Sequence, residues 1–142
     1  MPFRRGIAVA IAAGFFAVTL SSCDLFESER SVFASYRAPQ GESEVVVEVE
    51  EPGAAFAPHT IYVSLSRKGD AESSVPVSVL ETQLANDGAS LNPSNIRARW
   101  ETPQRLWLCL RGEEQADQLL SIDISAARAV VQTRECGDGW EL

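Results

Sequence analysis

Few side chains in this sequence are able to do chemistry. Its 142 residues hold one histidine, His59, and three cysteines, Cys23, Cys109 and Cys136. A lone imidazole excludes a multi-histidine metal site, and no Cys-x-x-Cys spacing offers a zinc ribbon or a redox dithiol. His59 lies between Pro58 and Thr60, at the start of an expected strand, and reads as a loop or edge residue. A Ser-His-Asp relay assembles across a fold, but there is no Gly-x-Ser-x-Gly elbow, and any serine would depend on this one ring. Glu48, Glu50 and Glu51 offer carboxylates for acid–base work or a cation. On an alternating strand Glu48 and Glu50 share one outward face, as ordinary solvated surface does. Cys136-Gly137-Asp138-Gly139-Trp140 lacks the spaced carboxylates of a calcium loop and reads as a flexible tail. No catalytic residue, metal ligand or cofactor is expected.

The segment from Asn95 to Arg111 says more. With Thr102-Pro103-Gln104 as a three-residue hairpin loop, Trp100 faces Leu106, Ala98 faces Leu108 and Ile96 faces Leu110. On the other face Arg99 meets Trp107 and Arg97 meets Cys109. A two-residue loop, Pro103-Gln104, would pair Glu101 with Leu106 and Arg99 with Leu108, mixing core with surface, so the first register is expected. Its outer face gathers Arg97, Arg99 and Arg105 around Trp107 in an otherwise acidic chain. Arginine over a tryptophan ring is worth roughly 0.5–1 kcal/mol when exposed, and both residue types are enriched at binding hot spots. One reading has Trp107 packed under a loop or second sheet, with the arginines paired to Glu101, Glu113 or Glu114. The other has the patch meeting an anionic partner, an envelope protein or a cell-wall polymer.

Short alternating segments must position these residues. Ser31 to Arg37 is expected as a first strand, closed by the turn Ala38-Pro39-Gln40-Gly41. In Glu44 to Glu51 the inward set is Val45, Val47 and Val49. Thr60 to Ser66 alternates through Ile61, Val63 and Leu65, and Val75 to Glu81 through Val75, Val77 and Val79. After the central hairpin come Leu120 to Ile124 and Arg128 to Arg134. For 125–135 a short helix competes with a strand, and the strand is favoured. About eight short strands with turn signals between them predict an all-β fold, a small antiparallel sandwich or barrel, following an N-terminal signal helix.

The N-terminus carries Arg4 and Arg5, then fifteen apolar residues from Gly6 to Leu20, then Ser21, Ser22 and Cys23. This is the three-part pattern of a secretory signal, and the run is shorter than the roughly 20 residues of a spanning helix. Leu20-Ser21-Ser22-Cys23 resembles the lipobox of bacterial lipoproteins. The resemblance implies a diacylglyceryl group on the Cys23 sulfur, cleavage before that residue and acylation of the new amino terminus. It divides the chain into a signal peptide (1–22), a lipidated cysteine and tether (23–31) and a single β domain (32–142). The membrane, inner or outer, is the partner of the anchor, on the side facing away from the cytoplasm.

Setting Cys23 aside leaves Cys109 and Cys136, an even count that reads as one disulfide in an exported domain. The acidic balance, 20 Asp+Glu against 12 Lys+Arg, argues against nucleic acid. Removing Arg4 and Arg5 with no acid takes the formal net charge from −8 to −10. The expected function is a non-enzymatic binding or structural module on the envelope. The chain also resembles, in architecture alone, the lipid-anchored lysozyme inhibitors, which makes an enzyme inhibitor the second reading. An envelope hydrolase using His59 is the third.

Overall fold

Period-two alternation decides the architecture. The computed structural model describes residues 28–67, 69, 75–86, 88, 91–112 and 115–137. The signal peptide, Cys23 and the tether as far as residue 27 lie outside the described residues, as do Glu113, Glu114 and the tail from Asp138.

Eight strands follow one another: β1 (Glu29–Arg37), β2 (Ser43–Glu51), β3 (His59–Arg67), β4 (Val77–Leu84), β5 (Ile96–Thr102), β6 (Arg105–Leu110), β7 (Gln118–Asp123) and β8 (Arg128–Thr133). Apart from β4 and β5, which lie in different sheets, sequence neighbours pair antiparallel, giving two four-stranded meanders, β1-β2-β3-β4 and β5-β6-β7-β8. The sheets share one core and do not close on each other, so the fold is a sandwich and no barrel forms. No helix occurs among the described residues, and the segment left between strand and helix contains β8.

The core is the inward half of each alternation. Val45, Val47 and Val49 of β2 and Ile61, Val63 and Leu65 of β3 meet Ala98, Leu106, Leu108, Leu120 and Ile122 of the second sheet. Burying a side chain of this size contributes about 1.5–3 kcal/mol each, which makes register a stability matter: a slip by one residue would turn each set outward.

The central hairpin holds the expected pairs, including Trp100 with Leu106, Arg99 with Trp107 and Arg97 with Cys109. Its loop differs in one respect. Thr102 pairs with Arg105, and the register shifts between Trp100 and Thr102. The turn is thus the two-residue Pro103-Gln104, with Glu101 as an extra bulge residue. A bulge absorbs one position on one strand, so a tight turn and an unmixed core coexist.

Two other expectations change. β1 begins at Glu29, so the first strand takes up residues assigned to the tether. Val75, before β4, and Val77, its first residue, lie 87% and 52% exposed; the strand bulges opposite Val63 and Ser64, and Leu84 is its buried residue. Val77 lies opposite the inward Leu65 but at the open end of an edge strand, and Val79 packs against the core at the bulge. Beyond it Leu80, Thr82 and Leu84 take the inward positions in place of the odd-numbered residues.

Polar bonds tie the sheets at both ends. At one, the Arg67 guanidinium donates to the carbonyls of Ile124 and Ser125, at 3.0 and 3.3 Å. At the other, the Thr82 hydroxyl donates to Gln118 Oε1 and Gln118 Nε2 donates to the Gln83 carbonyl, both at 2.8 Å.

Candidate functional site

The strands β5, β6 and β7 carry the candidate face. Their outward residues form cross-strand rows: Arg97, Cys109 and Leu119 in one, and Arg99, Trp107 and Ser121 in the next. A third joins Arg105 to Asp123. The structure therefore brings Arg97, Arg99, Arg105 and Trp107 onto one surface, as the hairpin register requires.

Beneath that surface lies a small second hydrophobic cluster. Cys109 and Cys136 are joined, Sγ to Sγ at 2.05 Å, across 27 residues of sequence. With Leu119 they form a buried group against which the half-buried Trp107 packs. The Asp117 carboxylate sits beside the bridge, accepting the Cys136 amide at 3.2 Å and Arg111 Nε at 3.3 Å. Its oxygen and the two sulfurs lie within 4.8 Å of one another, but sulfurs joined to each other offer no thiolate to a metal. The bridge thus fastens the C-terminal segment to an interior strand and supplies the floor under Trp107.

Of the two readings of the arginines, both find some support. Arg105 pairs with Glu101 at 3.4 Å, with both side chains nearly half exposed. An exposed pair of this kind is worth about 0–1 kcal/mol, which leaves the arginine open to a better partner. A shallow cavity of about 280 Å³ adjoins it, lined by Arg105, Ser121, Asp123, Ala126, Arg128 and Val130. Asp123 is occupied there. It accepts the Ser125 hydroxyl and the amides of Ser125 and Ala126, and these bonds, led by the hydroxyl, lower its pKa from 3.8. The Asp123 carboxylate thus stands between Arg105 and Arg128 in the strand rows that line this cavity.

His59 stands elsewhere and is not a loop or edge residue. It is the first residue of β3, faces inward and is only 4% exposed. The alternation through Ile61, Val63 and Leu65 starts at position 59, which is why it is buried. Among the described residues neither ring nitrogen has a hydrogen-bond partner. A cleft of about 690 Å³ lies at the opposite end, between Ala38, Ser43, Arg67, Gln104 and Ser125, away from the imidazole.

On the outer face of the first sheet, Glu48 and Glu50 do lie outward, with Glu51 exposed at the strand end. They are less idle than ordinary surface. The Arg30 guanidinium lies 3.8 Å over the Tyr62 ring and donates to Glu48 at 2.6 Å. Tyr62 Oη donates to Glu50 at 2.6 Å, and the Ser28 hydroxyl donates to the other Glu50 oxygen. The Ser28 and Tyr62 hydroxyls hold the Glu50 carboxyl below its ordinary 4.5, and the same bond raises the Tyr62 phenol above 10.0. Sequence reasoning missed this network by leaving Arg30 in the tether. No signal in the alternation marks it: Tyr36 and Ala34 face the inward Val45 and Val47, and only a bulge between Val32 and Ala34 turns Arg30 outward, opposite Glu50.

No protein-family model, curated protein or solved structure matches the chain.

Proposed function

We propose that this chain is a lipid-anchored protein of the bacterial envelope whose β domain is a non-enzymatic binding module. The lipobox resemblance of Leu20-Ser21-Ser22-Cys23 supports the anchor. The observation that carries the binding reading is the surface of Arg97, Arg99 and Arg105 around Trp107, set on a disulfide floor in a chain of net charge −8. A rigid aromatic beside arginines is the composition of a binding hot spot, and the positive face selects an anionic partner, an envelope protein or a cell-wall polymer. Burial of His59 favours binding over hydrolysis, because a general base must come within hydrogen-bond reach of its substrate.

The test is crosslinking in the native envelope, comparing parent protein with the double variant Trp107→Ala/Arg99→Ala. The expected result is loss of the parent's crosslinked partner with folding retained by circular dichroism. Unchanged recovery removes this face from the proposal. A measured hydrolase activity abolished by His59→Ala would replace it.

A further inference from the structure

We infer that the loop 52–58, with Phe56 at its tip, rests in the headgroup region of the bilayer that holds the anchor. This rests on the reading of Cys23 as the lipidated residue. The loop reads Pro52-Gly53-Ala54-Ala55-Phe56-Ala57-Pro58, seven residues without a charge in a chain that is 23% charged. Ala54 and Ala55 are exposed, and Phe56 is 73% exposed. Its backbone adopts φ 64°, a region that disfavours aromatic residues and persists only where the surroundings impose it. One surrounding is visible. The ring lies over Gly88, where a Cβ would come within 3.1 Å of Phe56 Cε1. The outward aim of the ring is therefore built by two loops.

Position identifies what covers it. Glu29 pairs with Glu51, the residue before the loop, and the Ser28 hydroxyl bonds to Glu50. The chain thus leaves the domain toward Cys23 at the foot of this loop. Residues 24–28 are five in number and reach at most about 18 Å fully extended. This corner is held within that distance of the anchored sulfur. The turn after β1 lies a nine-residue strand away, about 30 Å at the usual rise. Neighbouring segments at the same end are charged, with Arg111 and Asp117 in one and Arg134 and Glu135 in another, whereas the loop 52–58 is not. An aromatic tip on an apolar loop suits the interface between headgroups and acyl chains. The exposed Glu29 and Glu51 at its base point to a zwitterionic surface, since anionic headgroups would repel them.

The test uses the full-length protein purified with its lipid and reconstituted into phosphatidylethanolamine–phosphatidylcholine vesicles, with and without acyl chains brominated near the headgroup. Difference emission of Phe56→Trp against the parent isolates the added ring, and Gln104→Trp places the same probe at the opposite end. Bromine should quench the ring at position 56 at least twofold and leave position 104 unchanged. Ala55→Trp, on the exposed neighbour, gives the same reading should Phe56→Trp disturb the loop. If Cys23 carries the diacylglyceryl mass and the protein floats with vesicles, equal or absent quenching at 55, 56 and 104 overturns the loop contact alone. An unmodified Cys23 overturns the anchor and, with it, the contact.

Discussion

The first and second sheets present similar inner faces and opposite outer ones. Strands β1 to β4 carry six glutamates and three arginines, and strands β5 to β8 carry four arginines, one glutamate and one aspartate. The first sheet's outer face is organised by exposed charged hydrogen bonds from Arg30, Tyr62, Glu48 and Glu50. The second is organised by a buried bridge with an indole over it. Exposed ion pairs hold side chains in place but add little stability, because water competes for each group. A covalent floor costs the folded state no such competition. The inner faces hold the domain together, and the outer faces decide what it can meet.

The largest difference should appear when the covalent support is removed. Replacing both Cys109 and Cys136 with Ala opens a loop of 27 residues, and the chain-entropy relation gives about 3.6 kcal/mol of lost stability. Denaturant unfolding should show a loss of that order, and no other outward residue should approach it. A loss below about 1 kcal/mol would erase the distinction between the two outer faces.

On the first sheet the largest effect should have the opposite sign and come from inside. His59→Leu removes two buried nitrogens without hydrogen-bond partners. Leaving such groups unmet costs about 1–3 kcal/mol, so the variant should be more stable than the parent by about 1 kcal/mol or more. Destabilisation would mean that the imidazole is bonded in solution and that the first sheet's core has a polar support after all.

A third measurement separates the outer networks by pH. Glu50 has a lowered pKa in the fold, so its contribution is present above 4.5, its ordinary value, and disappears as pH falls through the lower folded-state value. Tyr62 has a raised one, so its contribution is present below 10.0 and disappears as pH rises through the higher folded-state value. Glu50→Gln should make both limbs of a stability-against-pH curve shallower, with Asp123 keeping its share of the acid limb. Arg128→Gln, on the second sheet, should leave both limbs as they are.

The smallest effect belongs to the exposed pair of the second sheet. Arg105→Ala breaks its exposed pair with Glu101 and its exposed charge contact with Asp123 and should change stability by no more than about 0.5 kcal/mol. Any loss of partner crosslinking in that variant would then come from the binding face itself.

Much of the fold was legible because alternation reports burial directly. Val45, Val47 and Val49 stand inward as written, and the hairpin pairs from Ile96 to Leu110 fall where mixing of faces forbids any other register. Bulges were not legible. The extra Glu101 and the shifts in β1 and β4 each cost one residue of phase, and nothing in local composition marks them. The depth of His59 was hidden by its neighbours: Pro58 marks a turn, but the strand it precedes counts His59 as its first inward position. At the candidate face the residue types announced the cluster, while the buried bridge under Trp107 needed the pairing of β6 with β7 to be seen.

Both sheets are simple meanders, so the chain passes from one layer to the other only once, between β4 and β5. The single covalent link also lies wholly within the second half, from Cys109 to Cys136. Nothing covalent therefore fastens the layers together except that one passage. A cut in residues 85–95 would leave two contiguous fragments, each a complete sheet with one apolar side, held as a noncovalent heterodimer. The domain is in this sense a tethered pair of half-proteins, and split-fragment reassembly with the break placed there should restore the parent structure.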